Sequence, residues 1–209
     1  MLLAIVIGSG IMAADLSAGN FAIALLANAI ATGAGLIVII QMFGSISGAH
    51  FNPVVTMVIH LRGEMSGKDA LAYVAVQFLG AMLGTWLVHA MFEQSLIQVS
   101  TNARDGIAMG LSELVATFGL IGTIIGTQQS RIEYTPVAVG LYIASAYWFT
   151  ASTSFANPAV ALARGFTDTF AGIAPPSIPL FIVAQILGAG MAWLVFRWLF
   201  VDPPTTVKG

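Results

Sequence analysis

Two Asn-Pro pairs, Asn52-Pro53 and Asn157-Pro158, are the residues of this 209-residue chain whose type and spacing most directly indicate chemistry. Asn is favoured at the N-cap of a helix and Pro at its first position, where the missing N–H costs nothing. Each pair therefore predicts an extended leg followed by a short helix. If the two helix starts face each other, they present two amide donors and a positive field, which suit a neutral solute's oxygen and repel protons and cations.

The composition places this chemistry in a lipid bilayer. Apolar residues make up 58% of the chain and charged residues 8%, whereas a soluble domain carries about 25% charged side chains. These values exclude an ordinary soluble enzyme, a nucleic-acid-binding protein and a disordered chain. The sequence contains no cysteine, which excludes disulfides and thiolate metal sites, and its net charge of −2 gives no reason to expect an acidic partner.

The apolar stretches predict an all-α membrane protein with six spanning helices. They are continuous and lack the period-two alternation of an outer-membrane barrel. The first stretch, 1–14, is too short for a span of about 20 residues, so we expect the chain to start inside its first helix. The other spans are predicted at 21–43, 70–92, 106–127, 135–149 and 177–200, with interruptions at 44–61 and 151–164.

The two interruptions resemble each other, which indicates a duplicated chain. F-N-P-V at 51–54 corresponds to A-N-P-A at 156–159, and each is followed by Q-x-L-G-A, which begins at Gln77 and at Gln185. A lone Asn-Pro pair often marks a turn, but two pairs in matching places favour an internal repeat.

The repeat predicts a single domain, 1–209, made of two halves, 1–100 and 101–209. Three spans in each half require that the second half is inverted, a design in which broken helices meet at the bilayer midplane. The positive-inside rule then predicts cytoplasmic termini. Its basis is that Arg62, Lys68, Arg131, Arg197 and Lys208 fall on one side and Arg104 and Arg164 on the other.

Together these motifs resemble the major intrinsic proteins, the aquaporin and aquaglyceroporin family. The resemblance covers essentially the whole chain and is carried by S-G-A-H-F-N-P-V at 47–54, S-E-L-V-A-T at 112–117, F-A-N-P-A at 155–159 and the paired Gln77 and Gln185. It implies an aquaporin-like fold of six transmembrane helices and two re-entrant half-helices in two inverted repeats. It also implies one pore per subunit and a homotetramer, with no enzyme activity, cofactor or metal.

The resemblance assigns roles to particular residues. The pore boxes are Asn52, Pro53, Val54, Asn157, Pro158 and Ala159. Val54 stands where the family has Ala, and it is expected to add two methyl carbons near the waist of the pore. Glu113 is an ionisable residue inside a predicted span, and its family counterpart accepts hydrogen bonds from a re-entrant leg. Gln77 and Gln185 are expected to support the legs, and His50 to line the cytoplasmic vestibule.

The family's narrowest constriction has four positions, and ungapped counting places Thr32, Ser145, Ser154 and Val160 there. An offset in the count would bring Ala144 or Tyr147 in place of Ser145. Val160 stands where the family normally has Arg, so the opening lacks a fixed charge and a fork of donors. Small side chains predict a filter wider than that of a water channel, with hydroxyls for a polyhydroxylated solute.

The expected function is a passive channel for small uncharged solutes in a bacterial inner membrane, with lipid and neutral solutes as its partners. N-P-A-V followed by A-R-x-F-T-D-T-F-A-G-I resembles aquaglyceroporin-like channels associated with arsenic resistance, which implies arsenite beside glycerol and water. The alternatives are a water-selective channel and a secondary transporter, although a transporter normally carries several intramembrane acids. Arg164 is a weaker candidate for the missing Arg, because it would have to reach back about 6 Å along the helix axis.

Overall fold

The computed structural model describes residues 1–200, and within that range six long helices and two short ones follow one another along the chain. They are α1 Leu2–Leu16, α2 Phe21–Ser47, α3 Pro53–Leu61, α4 Gly67–Met91, α5 Ile107–Ser130, α6 Thr135–Phe149, α7 Pro158–Arg164 and α8 Ile178–Leu199. This confirms the predicted fold class. Lys208 and the end of the predicted second half lie outside the described residues.

Four helical segments in the described range are long and apolar enough to cross a bilayer: 21–47, 67–91, 107–130 and 175–199. Helices α1 and α6 have 15 residues each. Large apolar side chains such as Val38, Leu79 and Val183 are exposed on the outside of the bundle. Exposed apolar surface of this kind is suited to contact with lipid.

Helix α2 is longer than predicted, because it continues past position 43 to Ser47. Asn20 caps its start by accepting hydrogen bonds from the amides of Ala22 and Ile23. The helix ends at Gly48, whose φ of 71° lies in the left-handed region that favours glycine. The first re-entrant leg therefore begins four residues later than the sequence indicates.

The helix contacts repeat between the two halves. Helix α1 packs on α2 and α4, and α5 packs in the same way on α6 and α8. Each short helix, α3 or α7, contacts both α4 and α8, and the two short helices also contact each other. Exchanging the first four helices with the last four leaves this contact pattern unchanged, as expected for two inverted repeats.

The halves meet most closely where α2 crosses α6. A Cβ atom on Gly33 would lie 2.8 Å from the backbone oxygen of Gly140 and 2.9 Å from the Cβ of Ala144. Only glycine allows this approach, which is typical of helix packing in membranes. The crossing fixes which faces of α2 and α6 turn inward, and so it positions Thr32 and Tyr147.

Candidate functional site

The two short helices meet start to start through their Asn side chains. Nδ2 of Asn52 donates a hydrogen bond of 2.7 Å to the backbone oxygen of Ala156, and Nδ2 of Asn157 donates one of 2.9 Å to that of Phe51. Each Asn also caps its own helix, because its Oδ1 accepts from the amide of Val54 or of Ala159. The half-helices therefore run in opposite directions from a shared centre.

The two legs are held in an unusual backbone conformation. Phe51 and Ala156, the residues just before the Asn residues, have φ values of 46° and 49°. Left-handed conformations at residues other than glycine cost about 1–3 kcal/mol and persist only where the surroundings hold them. At this centre, the carbonyl groups of these two residues are held by the Asn amides of the opposite half.

A buried carboxylate holds the second leg. Glu113, on α5, has no solvent exposure. It accepts hydrogen bonds of 2.8 Å from the amides of Phe155 and Ala156, and one of 2.6 Å from Nε2 of Gln185. Glu113 therefore contacts the second leg directly, and Gln185 is connected to the leg through Glu113. Such bonds to a carboxylate are about twice as strong as bonds between neutral groups.

The first leg is supported through Thr56. Nε2 of Gln77 donates to the Thr56 hydroxyl at 2.9 Å, and Nδ1 of His50 lies 3.1 Å from the same oxygen. The His50 ring also packs against Tyr73, with 5.4 Å between the ring centroids. Gln77 therefore contacts the first half-helix, and His50 lies in the wall of the cavity described below.

The remaining box residues have structural positions. Pro53 and Pro158 occupy the first turns of α3 and α7, and Ala159 is buried in the hydrophobic core. Val54 departs from the expectation that its methyl groups lie at the waist of the pore. Its side chain, 1% exposed, packs among residues such as Ile121 and Ala189 of α5 and α8, and it is not part of the cavity wall.

A cavity of about 390 Å³ runs past the junction of the half-helices, a volume within the range of about 300–1,000 Å³ that is common for small-molecule sites. Asn52 and Asn157 both line it. One end of the cavity, which we call the inner end, is formed by residues such as Glu64 and Gln128, beyond the C-terminus of α3. The opposite end, which we call the outer end, is formed by residues that include Arg164, at the C-terminus of α7.

Three of the four predicted filter residues line the outer part of this cavity: Thr32, Ser154 and Val160. Ser145 does not. It is exposed on the outer surface of α6, where its hydroxyl donates to the backbone oxygen of Tyr142 at 2.7 Å. Tyr147, two residues further along and about 200° around the helix, takes this place. It lines the cavity, and its hydroxyl donates to that of Thr32 at 3.3 Å.

Sequence reasoning missed the arrangement of two arginines around Phe155. The guanidinium carbon of Arg164 lies 3.5 Å from the centroid of the Phe155 ring, and that of Arg104 lies 5.1 Å from it. Arg104 also holds the second leg, because its Nη1 donates to the backbone oxygen of Ser152 at 3.2 Å. Burial lowers the pKa of Arg104, and the charge of Glu113 opposes this shift. The sequence shows Arg104 only as a charge in a connecting loop.

The fold is that of a known channel structure. The aquaglyceroporin from Plasmodium falciparum superimposes with a TM-score of 0.66, covering 93% of this chain and 90% of that one, at 20% sequence identity. The two chains therefore share a fold.

The sequence comparisons place the chain in a class and then in a family. A family model described as Major intrinsic protein matches residues 1–150. The fold and this match define a membrane channel protein for small solutes. The chain belongs to the major intrinsic protein family, which confirms the resemblance found in the sequence.

Two relatives show how near the similarity is. The chain is 53% identical over 199 residues to the aquaglyceroporin AqpS of Rhizobium meliloti (strain 1021), a match that covers 95% of this chain and 85% of that protein. It is 30% identical over 190 residues to the probable aquaporin TIP2-2 of Oryza sativa subsp. japonica, covering 85% of this chain and 73% of the relative.

Proposed function

We propose that the chain is a passive channel for uncharged, hydroxylated solutes of the size of glycerol, including arsenite, and for water. The observation that carries this proposal is the outer cavity wall, in which hydroxyl-bearing residues and an apolar valine line the same cavity. Thr32, Tyr147 and Ser154 supply the hydroxyls, and Val160 supplies the apolar surface. A polyol likewise combines polar hydroxyl groups with an apolar carbon chain.

The hydroxyl of Ser154 lies beside the cavity wall and is enclosed by protein. It is buried and has no hydrogen-bond partner among residues 1–200. An unsatisfied buried polar group costs about 1–3 kcal/mol. Rotation of the Ser154 side chain toward the cavity would let a hydroxylated solute satisfy it. The pair formed by Thr32 and Tyr147 offers two further hydroxyl oxygens, because each can accept a second hydrogen bond.

Arsenite fits the same chemistry. At neutral pH it is an uncharged trihydroxide, so it presents hydroxyl groups on a compact centre as glycerol does. The name of the relative from Rhizobium meliloti, an aquaglyceroporin, supports glycerol as a solute. Arsenite is proposed from the outer wall and from the motif that follows Val160.

The proposed location is the bacterial inner membrane, with both termini in the cytoplasm and the chain assembled as a homotetramer. Arg62 follows the end of α3 and Arg164 ends α7. Because the two half-helices run in opposite directions, these arginines mark opposite sides of the membrane. Of the cations in the described range, Arg62, Lys68, Arg131 and Arg197 fall on the proposed cytoplasmic side.

Flux into proteoliposomes of purified protein tests the solute class. Light scattering would compare water, glycerol and arsenite with empty vesicles. Glycerol and arsenite flux well above empty vesicles supports the proposal. Water flux alone would contradict it and favour a water-selective channel, and saturable uptake that needs a proton or sodium gradient would favour a secondary transporter.

A Val160→Arg variant tests the outer wall. Arg is longer and charged, so we expect glycerol flux to fall more than water flux, since the larger solute needs the space that Val160 leaves. Val160→Met is the matched control, because Met adds length without charge. Equal loss of water and glycerol flux in Val160→Arg would refute the assignment of Val160 to the selective part of the cavity.

A further inference from the structure

Arg164 is a buried charge that forms no ion pair with the described residues. Its exposure is 3%, and no carboxylate lies within 4 Å of its guanidinium in the described part of the chain. Its Nε donates to the backbone oxygen of Ala171, which is the one hydrogen bond that the Arg164 side chain makes to residues 1–200. The Nη nitrogens are left without an acceptor, at the outer end of the cavity that Arg164 lines.

A buried arginine without a carboxylate partner is rare because its burial costs free energy. Arg is almost never fully buried unless it is paired, because an isolated charge is expensive to remove from water. The ring of Phe155 compensates only in part, since a cation–π contact contributes about 0.5–2 kcal/mol. Ionisable groups inside a membrane protein commonly mark solute or ion pathways.

Two positive charges lie near the outer end. Arg104 places a second guanidinium near the same Phe155 ring. Among the described residues, Glu64 is the one acidic residue that lines the cavity. It lies at the inner end, where it pairs with Arg62 at 2.6 Å. Glu113 is turned away from the cavity and is occupied by the second leg and by Gln185. The outer end therefore favours a negatively charged group.

We propose that Arg164 forms a subsite at the outer end of the cavity for the ionised oxygen of a small weak acid, such as a hydroxycarboxylate. Both Nη nitrogens are donors, and a guanidinium fits a carboxylate through two such donors. The solute's hydroxyl groups would then meet the pair formed by Thr32 and Tyr147. This subsite rests on the proposed channel function and extends its solutes from neutral polyols to their singly charged acid relatives.

Glycerol and glycerate are the matched probes, because both have three carbons and adjacent hydroxyl groups and only glycerate carries a charge. Uptake of each radiolabelled compound into proteoliposomes would be measured at pH 7. We expect the wild-type protein to take up glycerate at least threefold faster than empty vesicles do. A potassium diffusion potential that makes the interior positive should increase glycerate uptake and leave glycerol uptake unchanged.

Variants of Arg164 separate its charge from its packing. In Arg164→Gln, we expect the ratio of glycerate uptake to glycerol uptake to fall at least fivefold. In Arg164→Lys, which keeps the charge and loses the paired donors, the ratio should fall less than in Arg164→Gln. Arg197→Gln, on the exposed end of α8, is the control and should leave the ratio unchanged.

Three results would overturn the subsite. Normal glycerol uptake with glycerate uptake at the level of empty vesicles would do so while leaving the proposed channel function intact. An unchanged ratio in Arg164→Gln would do the same. If Arg164→Gln does not fold, the measurement on the wild-type protein decides. Glycerate uptake that does not change with the membrane potential would show that glycerate does not cross as an anion. Loss of glycerol uptake as well would instead contradict the proposed function.

Discussion

Replacing Tyr147 with Phe would remove one hydroxyl group from the cavity wall and leave the ring in place. That hydroxyl donates to Thr32 across the crossing of α2 and α6 at 3.3 Å. It also lies in the wall that we propose contacts the solute. The variant therefore tests both the correction from Ser145 to Tyr147 and the role of hydroxyl groups in selecting polyols.

The structure gives the size of the effect. An O–H···O distance of 3.3 Å is longer than the usual 2.7–2.8 Å or so, so its loss should lower the free energy of unfolding by only about 0.5 kcal/mol. A solute that loses one hydrogen-bond partner in transit pays about 0.5–1.5 kcal/mol, which corresponds to about a two- to tenfold fall in glycerol flux. Water is smaller and can bond to neighbouring groups, so its flux should fall less.

Stopped-flow light scattering on proteoliposomes would measure glycerol and water flux for Tyr147→Phe, Thr32→Val and the double variant. Ser145→Ala is the matched control, because it removes a hydroxyl from the exposed face of the same helix. We expect wild-type flux for this control. Unfolding in detergent would show whether any loss of flux comes from loss of fold.

One pattern of results would refute this reasoning. If Ser145→Ala lowered glycerol flux while Tyr147→Phe did not, Ser145 would be the residue of α6 that faces the cavity, as counting along the sequence predicts. If the double variant kept full glycerol flux, the hydroxyl pair would play no part in passage. The cavity would then select solutes by width alone.

Two further variants test what holds the site in place. Glu113→Gln puts an NH₂ group against a backbone donor such as the Phe155 amide. We therefore expect a loss of about 1–3 kcal/mol in the free energy of unfolding and a parallel fall in water and glycerol flux. An unchanged melting temperature would contradict this. Gly33→Ala brings a Cβ to 2.8 Å from the Gly140 oxygen and should lower stability by about 1–3 kcal/mol. Gly44→Ala, on the same helix with open space around it, is its control, and equal melting temperatures for the two would refute the close crossing.

The sequence was sufficient for the parts of the site that depend on local chemistry. Asn before Pro specifies a capped helix start wherever it occurs, and both predicted half-helices begin at Pro53 and Pro158. The contact of Glu113 with a leg came from the family resemblance, and the sequence itself showed only an ionisable residue inside a predicted span. Duplication then determined that two such half-helices exist and that they oppose each other.

The side of a helix that a residue occupies could not be read from counting. One residue turns an α-helix by about 100°, so a shift of two positions moved the inward side chain from Ser145 to the nearly opposite Tyr147. The same limit explains Val54, which the motif places at the pore and which packs against α5 and α8 instead. In α6 both faces are similarly apolar in sequence, so no amphipathic pattern indicates which one turns inward.

Sequence alone determined that this is an inverted-repeat membrane protein with two facing half-helices, because composition, Asn-Pro pairs and internal repetition are properties of the chain itself. The tertiary structure decided which side chains meet in the cavity. The close crossing at Gly33 and Gly140 turned Tyr147 toward Thr32. The fold also buried Arg164 at the end of the cavity without an acid beside it in the described range, a contact pattern between distant segments that no spacing of residues encodes.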